Sequence, residues 1–375
     1  MRNLALVVML TAVASTPAVA STPAIASTPA VASTPAVAEQ SAPEIPFESV
    51  PRPLKYSPDM NLGEVLGVAV NSEGHIVVLN HPGSANVGPI WMNSTTQLLE
   101  FDEDGNFVRE IGKGVYGIAY AHQIRFDEDD NLWVVDKAAN TVIQFDPDGY
   151  VMMNLGRREE GFHGIVEIPS PQEARANGGY FNGPTDVAWD PDGNIFVSDG
   201  YVNSRMVKFD KYGNFLMDWG SLGREIGQFR LPHTMVVDRN GEVYVGDRSN
   251  SRIQVFDSNG NFLRVFTMNV PYPSDYQPPF TGINAERPVR GTTQPWSMCL
   301  TSSSPQELWV SDAEPGRIYR MALDGKILGW LGSSGRQLGQ FNWVHSLDCS
   351  QLDEGILWVA DMNNWRVQKL IVDLN

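Results

Sequence analysis

Positive charge is the first thing this chain lacks. Its 27 Lys and Arg stand against 44 Asp and Glu, for a net charge of −17, and no stretch gathers the basic residues into a run. A phosphate-backbone partner is therefore excluded, and no nucleic acid is expected. The acidity reads as a hydrated surface. Cysteine is equally scarce, with only Cys299 and Cys349. They fall at nearly equivalent places in the last two repeat units described below, which leaves two readings open: a disulfide between neighbouring units, or two buried free thiols. Histidine numbers only six in 375 residues. The amino-terminal apolar run, 4–13, is also too short to cross a bilayer, so no transmembrane span is expected.

That run follows Met1 and Arg2 and precedes the small-residue site Ala12-Val13-Ala14, the layout of a secretory signal over residues 1–14. A secreted or periplasmic protein is expected. Residues 15–46 open with four hexads of the type STPAVA, which have Pro and no large side chain to pack, and read as a disordered linker. The remainder, 47–375, is long enough to bury a substantial core.

Within that remainder one unit recurs. Strand ends of the form apolar-apolar-Asp lie at Asp136, Asp199, Asp247, Asp312 and Asp361, and a variant ends at Asn80. The intervals of 48 and 49 are the bare repeat, whereas those of 63 and 65 carry insertions. Each unit alternates β-branched and aromatic runs with Gly, Asn and Asp turns, as in HTMVVD, RNG, EVYVGD, RSNS, RIQVFD, SNG, NFLRVF. Four antiparallel strands are implied. Six such units arranged radially make an all-β, six-bladed β-propeller. The last unit has only three strands, so the stretch near Val50 to Tyr56 is the expected source of the fourth.

Strand direction then sorts residues onto faces. First-strand starts, the turns after the Asp, and the two long inserts 157–180 and 269–294 share one face, the top. The turns DEDGN, DPDGN and DSNGN resemble the start of a calcium loop. They lack its Glu at position twelve, which counted from Asp102 is Lys113, and so read as hairpin turns. The recurring Asp and the Arg five or six residues after it (Arg205, Arg252, Arg317, Arg366) are features of the blade rather than of one site.

The histidines do not recur in every unit. His122, His233 and His345 open the first strands of units two, four and six, where the others have Leu66, Thr185 and Trp296. Alternate blades of a six-fold ring are related by 120°, so three imidazoles converge on the axis at the top face. Three imidazoles with an open fourth position suit a catalytic zinc. A water-bridged histidine ring is the structural alternative. His75, His81 and His163 fall outside the pattern. Tyr201 sits in a turn one residue longer than its counterpart, and Arg248 directly follows its Asp; both lie near the histidines. A phenol beside a cation can serve as base, and a guanidinium can hold a carboxylate. Rim packing and surface charge, the latter shared by Lys137, are the plainer readings.

The stretches FVSDGYVNSRMVKF, LPHTMVV and VGDRSNSRIQVF resemble the NHL-repeat propeller of the peptidyl-α-hydroxyglycine α-amidating lyases, loosely over residues 60–372. The resemblance implies His122 (AHQI), His233 (LPHT) and His345 (WVHS) as zinc ligands, Tyr201 as base and Arg248 as a guarding Arg. The implied reaction cleaves a carbinolamide to glyoxylate and a peptide amide, from a peptide or small carboxylate-bearing substrate. Three positions depart from the family. Pro82 stands where it has a carboxylate-binding Arg, Ser346 where it has a calcium carboxylate, and Val202 where it has a Cys. Calcium is therefore doubtful. Arg157, Arg158, Arg175, Arg287 and Arg290, from the two inserts, are the candidates to replace the missing Arg. Other readings are a non-catalytic exported propeller that binds a partner on its top face, and a hydrolase using a metal-activated water. The oligomeric state is left open.

Overall fold

A computed structural model describes residues 39–82, 96–158, 180–272 and 293–374. The signal segment and the hexads lie outside the described residues. Six four-stranded antiparallel sheets follow one another along the chain as six blades of a propeller. Blade two, for example, runs Ala121–Phe126, Leu132–Asp136, Thr141–Phe145 and Val151–Gly156. Burial falls from the inside outward: its second strand is fully buried, while its fourth exposes Val151 and Met152. The Asp-led turns close as expected, with the Asp102 carboxylate accepting the Asn106 backbone N–H at 2.7 Å.

Hydrophobic contact is concentrated at the seams between blades. Five blades place an aromatic residue three positions before the strand-two Asp: Trp133, Phe196, Tyr244, Trp309 and Trp358, all buried. Each packs with residues of the next blade, as Trp133 does with Val187 and Val197, and Trp358 with Val65 and Val78. The closing seam between blades six and one is thus as well filled as the others. Cys299 and Cys349 form a disulfide across the seam of blades five and six, with Cα atoms 5.7 Å apart. Of the two readings left open above, the bridge is the one the geometry supports.

The sixth blade takes its fourth strand from upstream of the expected stretch. Phe47–Ser49 pairs antiparallel with Arg366–Val372, Phe47 opposite Val372. Residues 50–56 instead cross to blade one, where Lys55 bonds the Gly105 carbonyl. The reason is side-chain fit: Phe47 packs against the cluster of Phe341 and Leu370, and Leu54 joins the cluster of blade one. Contacts begin earlier still, with Ile45 N–H donating to Trp330 O at 2.7 Å and Gln40 N–H to Asn269 O at 2.8 Å. This strap therefore runs over the outer edges of blades five, six and one. Among the described residues no helix is long and apolar enough to cross a membrane.

Candidate metal centre

His122, His233 and His345 occupy the same place in their blades because each first strand carries a bulge there. In blade two Ala121 pairs with Asp136 and Gln123 with Val135, leaving His122 as the extra residue. His233 and His345 are the extra residues between Pro232 and Thr234 and between Val344 and Ser346. A bulge adds local twist and re-aims one side chain out of the pleat. Here it turns each imidazole toward the axis. The ring centroids stand 4.7, 4.7 and 5.2 Å apart, and one nitrogen from each ring lies within 4.8 Å of the other two.

The odd-numbered blades complete the arrangement. His122 Nδ1 lies 2.7 Å from Thr185 O, His233 Nδ1 2.7 Å from Trp296 O, and His345 Nδ1 2.9 Å from Leu66 O. A carbonyl can only accept, so Nδ1 carries the proton and Nε2 keeps its lone pair. All three rings are buried. Burial, reinforced by the neighbouring rings, pushes His122 well below the ordinary histidine range. His233 is lowered by burial and then by the Arg248 charge, and His345 falls to about 3 through burial and the Lys137 charge. Neutral imidazoles with inward lone pairs are what a metal ligand set requires. His233 Nε2 is buried without a hydrogen-bond partner, a cost that a bound ion would relieve. The buried three-His site can therefore hold a metal ion, and among the described residues it is the sole such group.

Above the imidazoles stand the two other residues singled out in the sequence. Tyr201 Oη lies 3.2 Å from His122 Nε2, donating to the lone pair that a metal would use. Its ring is seated on Gly183, where a Cβ would come within 2.6 Å of Tyr201 Cβ and where φ is +73°. Arg248 stacks on Trp296, its guanidinium carbon 3.9 Å from the ring centroid, and its Nε is buried without a partner. Three further residues join them whose part in the site the sequence did not reveal. Lys137 Nζ lies 4.9 Å from the ring centroids of both Tyr120 and Tyr201. Trp296 and Trp343 pack 4.9 Å apart and wall the side of His233. Lys137 was legible as the sister of Arg248 and Trp296 as the blade-five counterpart of the histidines, whereas Trp343 carried no signal in the repeat.

Other expectations resolve as follows. Asp199, Asp247 and Asp361 each hold the Arg of their own blade at 2.8–3.0 Å, and each also accepts a backbone N–H of the incoming connector. Arg317 departs from them, stacking on Tyr272 and Trp330. Ser346 directs its hydroxyl to Gln123 Oε1 at 3.1 Å, so a hydroxyl and not a carboxylate stands at that position. A cation of the chain lies nearby on the inner strands instead: Arg125 grips Asp186 through two 2.7 Å bonds and reaches the Met298 carbonyl at 3.1 Å. His75 pairs with Glu100 at 2.8 Å, and His81 stacks on Tyr120 with ring centroids 3.9 Å apart, so neither joins the centre. Arg158 bonds the Tyr116 carbonyl. Arg175, Arg287, Arg290 and His163 lie outside the described residues.

The NHL repeat model matches residues 181–209 and 229–256. The chain is 32% identical over 229 residues to peptidyl-glycine alpha-amidating monooxygenase A of Xenopus laevis, covering 55% of this chain and 23% of that protein. It is 24% identical over 341 residues to peptidyl-alpha-hydroxyglycine alpha-amidating lyase 1 of Drosophila melanogaster, covering 84% of this chain and 58% of that one. The chain thus spans less than two thirds of either relative. Among solved structures, a streptogramin B lyase superposes with a TM-score of 0.51 at 13% identity, covering 88% of this chain and 98% of that one, a likeness of fold alone. NHL repeats, six blades and similarity to amidating lyases over about half of the chain agree with the resemblance carried by the motifs.

Proposed function

We propose that this NHL-repeat propeller is a zinc-dependent carbon–nitrogen lyase that splits a peptidyl-α-hydroxyglycine-like carbinolamide into an amide and glyoxylate. The observation that carries the reading is the buried three-His group with all three Nδ1 atoms held by carbonyls, under a tyrosine hydroxyl that touches one ring. His122, His233 and His345 would hold the ion through Nε2. Zinc bound there supplies Lewis acidity, making the hydroxyl of a coordinated carbinol easier to deprotonate.

The chain's own residues supply the rest. Tyr201 Oη, once its own proton has been given up, takes the carbinol hydroxyl proton. The carbinol oxygen's electron pair closes to a carbonyl as the C–N bond breaks, and Tyr201 passes the proton on to the departing nitrogen, so that no water is consumed. Arg248, rigid against Trp296, guards the top of the site and offers donors to a carboxylate. The leader at residues 1–14 would place the protein outside the cytoplasm, in a secreted or periplasmic setting, and the Cys299–Cys349 bridge supports an oxidising compartment.

The test is metal analysis followed by product analysis with α-hydroxyhippurate as substrate. One zinc per chain is expected, lost in His233→Ala, with benzamide and glyoxylate released in equal amounts. Tyr201→Phe should keep the zinc and lose about 10²- to 10⁴-fold in kcat. A protein without stoichiometric metal would sink the reading in favour of a binding propeller. Metal without glyoxylate would retain the centre and move the substrate.

A further inference from the structure

Two cations stand over the imidazoles with no ion pair among the described residues. Lys137 directly follows Asp136 in blade two and Arg248 directly follows Asp247 in blade four, the blades that supply His122 and His233. Blade six puts the buried thioether of Met362 at the same place. Lys137 Nζ rests 4.9 Å from the centroids of Tyr120 and Tyr201 and makes no ion pair among the described residues. Its charge reaches all three imidazoles. Glu64 is the acid that senses it, but that carboxylate accepts the Tyr120 hydroxyl at 2.7 Å and lies 3.9 Å from His81 Nδ1. Arg248 leaves its buried Nε unpartnered.

Lys137 and Arg248 are each partly exposed, yet the charges of both reach His233 and His345, and a metal ion in the centre would add a third positive charge to the same space. An anion between them relieves all three. Tyr201 links the two cations, with Lys137 over its ring face and Arg248 close enough to interact with its hydroxyl. A carboxylate, with two oxygens in one plane, has the charge and the acceptors to meet both cations beside that hydroxyl. Blade one adds no cation, because Pro82 carries none, and Arg158, just after blade two, is turned to Tyr116.

We propose that Lys137 is the specificity-determining cation of this site, seating the substrate carboxylate opposite Arg248. The identity of that substrate rests on the lyase reading, whereas the anion seat itself does not. The test uses the zinc-loaded protein and two unreactive probes, hippurate and its uncharged methyl ester, with binding read by quenching of tryptophan fluorescence from Trp296 and Trp343. Hippurate should bind more tightly than the ester. Lys137→Met should weaken hippurate about ten- to hundredfold and leave the ester unchanged, while Lys137→Arg should keep most of the preference. The proposal is overturned if the wild-type protein does not distinguish acid from ester, or if Lys137→Met keeps the wild-type ratio. If Lys137 controls the ratio and α-hydroxyhippurate yields no glyoxylate, the seat stands and the lyase reading falls. If glyoxylate forms and Lys137→Met leaves KM and kcat unchanged, the lyase reading stands and the seat falls.

Discussion

Each imidazole of the centre is held neutral by its surroundings, and that has a consequence for stability. In the unfolded chain a histidine takes its proton near pH 6.5, whereas His345 in the fold resists protonation down to about 3. Between those values the unfolded state binds protons that the folded state refuses. Metal-free protein should therefore lose stability as the pH falls from about 6.5 toward 3, and should change little from this source above 7. Buried Asp312, raised to about 6, contributes the opposite slope below that pH, so the comparison needs a variant. Urea midpoints measured from pH 8 to 4 after chelation should fall less steeply for His345→Gln than for the wild type; equal slopes would refute the assignment. At this scale the sequence revealed which histidines converge, because spacing from the strand-end Asp fixes a position in the repeat. It did not reveal the carbonyls that set the tautomer, since a backbone acceptor leaves no trace in residue identity.

Strands and turns were legible through the repeat, whereas bulges were not. His122 and His233 precede their Asp by the same count because the extra bulged residue is present in both blades. In blade six the count is longer by two, and the surplus sits in the turn at Leu352–Glu354 rather than in the strand. The register of the ligand is thus protected while the loop varies. The disulfide belongs to the same scale. It joins the inner strand of blade five to the turn after the inner strand of blade six, 50 residues apart in sequence. A loop of that length should contribute roughly 2–4 kcal/mol. Cys299→Ser with Cys349→Ser should lower the unfolding free energy by that amount in denaturant titrations. An unchanged midpoint would mean that the buried seam carries the load alone.

The ring as a whole is shut by a strand the repeat pattern placed a few residues too far along. Composition marked residues 50–56 as available, but the choice was made by Ile45 and Phe47, whose large side chains fill the seam of blades five and six. Removing residues 39–49 should expose the edge of Arg366–Val372 and cost roughly 3 kcal/mol or more, with self-association visible in gel filtration. A truncated chain that melts at the wild-type temperature as a monomer would contradict this.

The same closure fixes when in its life the protein can become a ring. Ser49 and its partner Gln368 are separated by 319 residues. At roughly 5–20 residues per second of synthesis, the strand made first waits on the order of 15 to 60 seconds for its partner to exist. Blades one to five can settle against one another in that interval, and with them the sites of His122 and His233. The third imidazole, the last seam and the closing strand all arrive at the end, so completion of the three-His group and ring closure become one terminal event on the ribosome's clock.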